Sequence, residues 1–162
     1  MNLYITSGTY QYLEKIIKKH KESAWLLMEN EDHALLLQET DKKTDLKAPR
    51  KYEAISSIGE LTVKSGFAAM NHIPVTEEGR PIFEYDNKKK IELIKKECGL
   101  IALRLLRPLS SNTYIFLSIW ENQHAYSDWK KASKFDIFFD QTKASTFLQE
   151  SYIHEYVISM ES

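Results

Sequence analysis

The spacing of apolar residues divides the first 60 residues into short strands and helices. The pattern predicts five elements in the order strand, helix, strand, strand, helix, at residues 2–6, 10–20, 24–29, 33–39 and 51–58. In the first helix, Leu13, Ile16 and Ile17 recur at helical spacing. The two central runs flank the polar stretch NED, which is typical of a β-hairpin. The last helix is expected to stop at Gly59.

The rest of the chain follows a more regular order. The pattern predicts strand, helix, strand, strand, helix, strand at residues 67–75, 82–98, 100–108, 113–120, 121–143 and 151–159. Pro81 fits the first turn of the helix that follows it. A break near residues 132–133 is expected to divide the later helix into two pieces. This order is that of a βαββαβ ferredoxin-like unit.

The two halves predict an α+β protein of the ferredoxin-like class. Residues 1–65 look like a degenerate copy of the unit formed by residues 66–162, with the stretch 59–63 as a possible source of a missing strand. A single such sheet leaves one face that needs cover. Two sheets packed face to face would give a barrel-like body of the dimeric α/β-barrel type from one chain. We therefore expect a monomeric pseudo-dimer.

Composition narrows the class of protein. Of the 162 residues, 43% are hydrophobic, which is enough for a globular core and argues against disorder. The formal net charge of −1 gives no reason to expect binding to nucleic acid. The single cysteine, Cys98, excludes an internal disulfide framework. No signal peptide or apolar run long enough to span a membrane is evident, so a soluble, cytoplasmic protein is expected.

One strand carries a polar residue on its apolar side. Along residues 67–75, the side chains of Phe67, Ala69, Asn71, Ile73 and Val75 share one face. Four of these are apolar and the fifth is an amide. A buried amide without hydrogen-bond partners costs about 1–3 kcal/mol. Asn71 is therefore either bonded to backbone at an irregular point of the strand or is a functional group that meets a ligand.

Three stretches give the chain a family resemblance. Asn71 in its strand, residues 103–132 and the sequence EEGRPIFE at 77–84 resemble the antibiotic-biosynthesis monooxygenase superfamily, in particular its Isd-type haem-degrading branch of the longer HmoB kind. The sequences SGTYQYL at 7–13 and AYSDWKKAS at 125–133 are also similar to TRAP-type signal transduction proteins. The resemblance covers the whole chain and is strongest over residues 67–135.

The resemblance implies a site for haem made of an asparagine, a tryptophan and a histidine. By position, Asn71 corresponds to the asparagine that orients oxygen, and Trp120, at the end of its strand, to the tryptophan that distorts the porphyrin. The position of the histidine ligand of the iron falls at Phe139 or within a residue of it. A phenyl ring cannot bind iron, so the axial ligand is unassigned.

Other residues are expected to complete the site. The apolar wall around haem is predicted to come from five phenylalanines: Phe67, Phe116, Phe135, Phe138 and Phe139. His154 alternates with Tyr152 and Tyr156 in a row that could line a cavity, and it is kept as a candidate iron ligand. His72 follows Asn71 and therefore points to the opposite face.

The leading hypothesis is a haem-degrading monooxygenase. The resemblance implies that haem is both substrate and cofactor, that O₂ opens the porphyrin and releases iron, and that a reductase or small-molecule reductant supplies electrons. The missing histidine leaves two alternatives open. One is a TRAP-type regulatory or stress protein that kept the scaffold and lost the chemistry, and the other is a haem carrier or sensor that binds without turnover.

Overall fold

The computed structural model describes residues 1–132 and 151–160. It contains eight strands and three helices in this part of the chain, which are β1 (Asn2–Gly8), α1 (Tyr10–Lys19), β2 (Trp25–Glu29), β3 (Ala34–Thr40), β4 (Arg50–Ile58), β5 (Ser65–Pro74), α2 (Arg80–Ile94), β6 (Leu100–Pro108), β7 (Thr113–Trp120), α3 (Gln123–Lys131) and β8 (Tyr152–Ser159). None of these helices is both long and apolar enough to cross a membrane.

The strands close into one barrel rather than two separate sheets packed face to face. Their order around the barrel is β1-β3-β2-β8-β5-β7-β6-β4, and each neighbouring pair is antiparallel. Closure removes the exposed strand edges that open sheets must protect. The N-terminal strands join the C-terminal ones at two seams, β2 with β8 and β4 with β6. The division at residue 65 stays a prediction, because both parts contribute to the same barrel.

Residues 51–58 form a strand, so the helix predicted there is wrong. In β4, Tyr52 and Ala54 face the barrel interior, and the strand pairs with β1 on one side and β6 on the other. Its register shifts between Ala54 and Ser56, which breaks the regular alternation that would have identified a strand. Gly59 has a φ of 68° and ends the strand. The stretch 59–63, which the sequence offered as a possible source of a further strand, contains no strand.

The remaining elements match the expected ones closely. The hairpins β2–β3 and β6–β7 and the helices α1, α2 and α3 are confirmed. Pro81 stands in the first turn of α2, but this helix ends at Ile94 rather than at Cys98. The amide of Asn122 caps α3 by accepting a hydrogen bond from the Ala125 backbone N–H, at 2.9 Å. The break expected near residues 132–133 and the helix beyond it reach outside the described residues.

The apolar side chains form three clusters, one inside the barrel and two outside it. The interior is filled by residues from all eight strands, among them Leu3, Met28, Leu37, Tyr52, Met70, Leu106, Leu117 and Ile158. One outer cluster lies between α1 and the N-terminal strands. The other lies between the C-terminal strands and the helices α2 and α3, and it contains Phe67, Ala69, Phe83, Phe116, Trp120 and Trp129. Asn71 lies on the same side of β5 as this second outer cluster.

A hydrogen-bonded group ties α2 to the barrel. The carboxylate of Glu84 on α2 accepts two hydrogen bonds from the Arg107 guanidinium, at 2.9 and 2.5 Å, and another from the Tyr114 hydroxyl. These bonds favour the ionised carboxylate. Arg107 is the main cause of the lowered pKa of Glu84, and its two bonds outweigh the opposite effect of burial.

This group makes stability depend on pH in the acid range. Because folding lowers the pKa of Glu84, its contribution is fully present above the ordinary value of 4.5 and is lost as the pH falls through the lower folded value. We expect Glu84→Gln to destabilise the protein at about pH 7 and this difference to shrink below pH 4.5. Urea denaturation at a series of pH values measures both quantities. The exposed substitution Glu78→Gln is the control, and a Glu84→Gln difference that stays constant with pH would contradict the prediction.

Candidate functional site

Asn71 lies in the middle of the barrel wall, with its side chain directed outwards beneath α3. It sits on β5 opposite Phe116 of β7 on one side and Ile153 of β8 on the other. Only 3% of its surface is exposed. The alternation of the strand fixes this direction, since Ala69 and Asn71 share a face and both line the same gap. The sequence therefore correctly predicted the side of the strand on which the amide lies.

The Asn71 amide has no hydrogen-bond partner among the described residues. Both its Oδ1 and its Nδ2 are buried and unpaired, and so is the hydroxyl of Tyr126. The interpretation of Asn71 as a residue bonded to backbone at a strand irregularity is thus not supported in this part of the chain. Each unsatisfied buried group costs about 1–3 kcal/mol. Such a cost in the middle of an apolar wall marks this position as a candidate ligand site.

The space around Asn71 is a narrow gap between the sheet and α3. Its volume is about 10 Å³, close to the minimum for a single water molecule. Seven residues line it: Ala69, Asn71, Phe116, Ser118, Tyr126, Trp129 and Ile153. We call this space the Asn71 gap. Burial raises the pKa of the Tyr126 hydroxyl, with a smaller effect of the same sign from Glu155, so this group remains a neutral donor.

Trp120 and Trp129 occupy different places relative to this gap. Trp120 is completely buried, and its Nε1–H donates to Ser118 Oγ at 2.9 Å. It is not one of the lining residues, whereas Trp129 on α3 is. The two indole rings pack together with their centroids 5.3 Å apart. Trp129 was missed as a site residue, although its spacing one turn from Ala125 and Tyr126 was a signal that it lies on the inner face of α3.

The predicted phenylalanine wall is only partly within the described residues. Phe116 lines the Asn71 gap, and Phe67 is buried beside it in contact with the Tyr126 ring, with centroids 5.3 Å apart. Phe135, Phe138 and Phe139 lie outside the described residues. Of the wall, Phe67 and Phe116 are therefore brought to one place by the fold, and their role towards a ligand stays a prediction.

The structure does not bring His154 to Asn71. His154 stands opposite Met70 on the neighbouring strand, and it contacts His72, whose ring centroid is 5.1 Å away. Met70 points into the barrel, so this histidine lies on the face opposite Asn71. None of the seven residues that line the Asn71 gap is a histidine or cysteine, and Cys98 is exposed elsewhere. The axial ligand stays unassigned within the described residues.

A separate group of possible metal ligands lies at the end of α1. One ligand atom from each of His20, Glu22 and Asp45 falls within 4.8 Å of the others. The Asp45 carboxylate, however, already accepts hydrogen bonds from Ser23 and Gln38, both at 2.9 Å. These two bonds, with a smaller effect of His20, lower the pKa of Asp45 against the effect of burial. The internal bonds account for the charge of this carboxylate without a metal.

If the Asn71 amide serves a ligand, its removal should make the free protein more stable. We expect Asn71→Leu to raise the free energy of unfolding by about 1–2 kcal/mol, since leucine has a similar shape and needs no hydrogen bonds. Urea denaturation of the ligand-free protein measures this change. The control is Asn87→Leu on α2, where the buried Nδ2 donates to the Phe83 carbonyl at 2.8 Å and only Oδ1 is unpaired, so this replacement removes an existing hydrogen bond and should destabilise. A loss of stability in Asn71→Leu would contradict the prediction.

Sequence comparison finds relatives over most of the chain. The profile of the family described as antibiotic biosynthesis monooxygenase matches residues 66–141, a range that contains both Asn71 and Trp120. The signal transduction protein TRAP of Staphylococcus aureus strain MSSA476 is 30% identical over 156 residues, which cover 94% of this chain and 90% of that protein.

Structural comparison finds the same fold in three proteins with different descriptions. A major regulator of staphylococcal pathogenesis superposes with a TM-score of 0.90 at 27% identity, covering 99% of this chain and all of the other. A heme-degrading enzyme from Listeria monocytogenes superposes with a TM-score of 0.76 at 21% identity, covering 96% and 98%. A ferredoxin fold protein related to antibiotic biosynthesis monooxygenases, also from Listeria monocytogenes, superposes with a TM-score of 0.80 at 21% identity, covering 99% of this chain and 95% of the other. The fold of this chain is therefore the ferredoxin-like α+β fold.

Proposed function

Because the chain belongs to the family of the signal transduction protein TRAP and matches the monooxygenase profile over residues 66–141, we propose that it binds haem at the Asn71 gap and degrades it. In this proposal, haem is substrate and cofactor, O₂ opens the porphyrin, iron is released, and an external reductant provides the electrons. Haem degradation itself is the activity named for the heme-degrading enzyme of Listeria monocytogenes, which shares the fold.

The observation that carries the proposal is the buried, unpaired amide of Asn71. An amide N–H₂ in a dry, apolar site is a preorganised donor for a partner that gains negative charge during a reaction. The carboxamide oxygen is also unpaired, so the side chain can turn towards a ligand without breaking an existing bond among the described residues. A purely structural position would have been served better by an apolar residue.

The residues around the Asn71 gap have side chains of the kind that haem contacts, but the gap is too small to hold haem. Phe116, Trp129 and Ile153 offer an apolar and aromatic lining, which suits a porphyrin. Bound haem would supply an iron at which O₂ is reduced and a porphyrin edge that is oxidised. A ligand of this size needs a pocket of about 300 Å³ or more, so Tyr126 and Trp129 must move away from the sheet together with α3.

A haemin titration tests the proposal directly. Purified protein is titrated with haemin and the Soret band is followed, after which ascorbate is added under air. The proposal expects a saturable Soret shift, followed by loss of the band and release of iron that ferrozine captures. A Soret shift that survives ascorbate would refute degradation and leave a carrier or sensor. Absence of any shift would refute haem binding altogether.

A second candidate function is a signal transduction protein without enzymatic activity. Two observations favour it: the relative described as TRAP covers almost the whole chain, and the gap holds about 10 Å³ with no histidine or cysteine in its lining. For this candidate, the titration gives no Soret shift. The buried amide of Asn71 would then have no role in a reaction. Asn71→Leu would leave the signalling function unchanged.

The proposal also includes the state of the molecule. We take it to be a cytoplasmic monomer in which residues 1–65 and 66–162 act as the two halves of a pseudo-dimer within one barrel. Light scattering coupled to gel filtration tests the first point, because a dimer would double the mass expected from the 18.9 kDa chain. Expression of residues 66–162 alone tests the second, since a half that pairs with itself would form a dimer.

A further inference from the structure

One end of the barrel gathers basic and aromatic polar side chains from three strands and a turn. They are His33 from the β2–β3 turn, Arg50 and Tyr52 from β4, His72 from β5, and Tyr152, His154 and Tyr156 from β8. His72 follows Asn71 in β5, and His154 stands opposite the inward-facing Met70, so this cluster and Asn71 lie on different faces of the wall. We call it the histidine end of the barrel.

The side chains at the histidine end are in contact with one another. The His72 ring stacks on Tyr152, with centroids 4.6 Å apart and planes within 8°, and it meets His154 edge-on at 5.1 Å. On the far side, His33 Nε2 lies 3.2 Å from the Tyr156 hydroxyl. The cluster is thus one continuous group of imidazole and phenol rings.

His72 is the unsatisfied member of this group. Only 5% of its surface is exposed, and its Nε2 is buried without a hydrogen-bond partner among the described residues. Burial lowers the pKa of His72 to about 4, and the positive charges of His154 and Arg50 act in the same direction. If an anion bound beside His72, the imidazole would gain a hydrogen-bond partner. The negative charge would also offset the repulsion between a protonated His72 and the neighbouring positive charges.

The charged groups that act on His72, Arg50 and His154, are both basic. Arg50 is always protonated, and it also acts on the hydroxyls of Tyr52 and Tyr156. Among the described residues, the negative charge of Asp32 reaches Tyr156, where burial is the main cause of a pKa raised to about 12. The hydroxyls of Tyr52 and Tyr156 therefore stay protonated and can donate. Arg50 also disfavours a metal cation between the imidazoles.

We infer that the histidine end of the barrel binds a small tetrahedral oxyanion of the phosphate class. The Arg50 guanidinium provides a fork of N–H donors that matches such an anion, and the imidazoles and phenols add further donors around it. Access comes from solvent, because Arg50 and His154 are exposed and Tyr152 is 45% exposed beside the buried His72. This site is independent of the haem proposal, since it shares no residue with the Asn71 gap.

The histidine ring signals of the full chain provide the test. Sulfate is the first probe because it keeps two negative charges over the whole range of about pH 4 to 8 in which histidines titrate. We expect saturating sulfate to raise the pKa of His72 by about one unit relative to chloride at the same ionic strength. An equal shift in chloride would mean simple screening and would overturn the inference, as would no shift in sulfate.

Substitutions test whether Arg50 binds the anion. Two further probes test whether the natural ligand is a free anion or a phosphate ester. Arg50→Gln should weaken sulfate binding about tenfold, and Arg50→Lys should restore part of it. The control is Lys64→Gln, which removes an exposed positive charge at the opposite end of β5. Unchanged binding in Arg50→Gln would overturn the inference. Binding of inorganic phosphate or of phenyl phosphate each supports the site, and the tighter one distinguishes a free anion from a phosphate ester.

Discussion

Replacing Arg104 by methionine is expected to lower the free energy of unfolding by about 3–5 kcal/mol. Arg104 is 4% exposed on β6 and donates to both oxygens of the Glu39 carboxylate on β3, at 2.6 and 3.2 Å. It also donates to the carbonyl oxygens of Ile58, Gly59 and Leu103 at 2.8–2.9 Å. Methionine would fill most of the space but leave a largely buried carboxylate and three carbonyls without this donor.

The double variant Arg104→Met/Glu39→Leu separates the charge from the packing. Because both members of the pair are then apolar, most of the lost stability should return, although the three carbonyls still lack their donor. Urea denaturation of the wild type, both single variants and the double variant gives the coupling energy between the two residues. A loss below about 1 kcal/mol in Arg104→Met would mean that the pair behaves like an exposed ion pair.

This ion pair shows why the closed barrel was not evident from the sequence. Glu39 and Arg104 are 65 residues apart, and each lies in an apolar run that reads as an ordinary strand. Local patterns predicted the hairpins β2–β3 and β6–β7 correctly, because their partners are adjacent in the chain. The seams of β4 with β6 and of β2 with β8 depend on distant segments, and no local spacing encodes which strands meet there.

The error at β4 has a specific cause. Lys51 to Ile58 contains two adjacent serines and a register shift, so its apolar residues do not alternate regularly. A helix and a bulged strand then look alike in the sequence. Two tertiary interactions favour the strand over a helix. Tyr52 and Ala54 complete the barrel interior, and the backbone pairs with β1 on one edge and β6 on the other.

The sequence predicted the face of β5 that carries Asn71, but it did not identify the residue of α3 that lines the gap. The alternation along β5 fixed the direction of Asn71, because a strand has only two faces. The indole that meets the gap belongs to α3, and it depends on how that helix rests on the sheet. Trp120 ends a strand and is directed towards the same apolar layer, yet its Nε1–H is used by Ser118 and the ring lies behind Trp129. Helical spacing indicated that Trp129 lies on the inner face of α3, but it did not show that this indole, rather than Trp120, lines the Asn71 gap.

The sharpest test of the proposed chemistry is Asn71→Ala, which is expected to slow ascorbate-driven haem loss about 100-fold. The physical reason is that a preorganised donor in a dry site stabilises charge that develops during the reaction, whereas it adds little to the binding of the whole porphyrin. Haem affinity should therefore change less than about threefold, so that the effect falls on the rate and not on binding. The measurements are the decay of the Soret band and the haemin titration, made on the same preparation.

A matched amide shows whether the effect belongs to the position. Asn87→Ala also removes a buried carboxamide from the layer between sheet and helices, but Asn87 does not line the Asn71 gap and its amide is bonded to Phe83. Its expected effect is a loss of stability with an unchanged rate of haem decay in the folded protein. Asn71 acts on the reaction only if Asn71→Ala shows the opposite pattern. Its haem decay must be slow, and its free energy of unfolding must be at least that of the wild type. Equal rates in the two variants would remove Asn71 from the proposed chemistry, even if haem still binds.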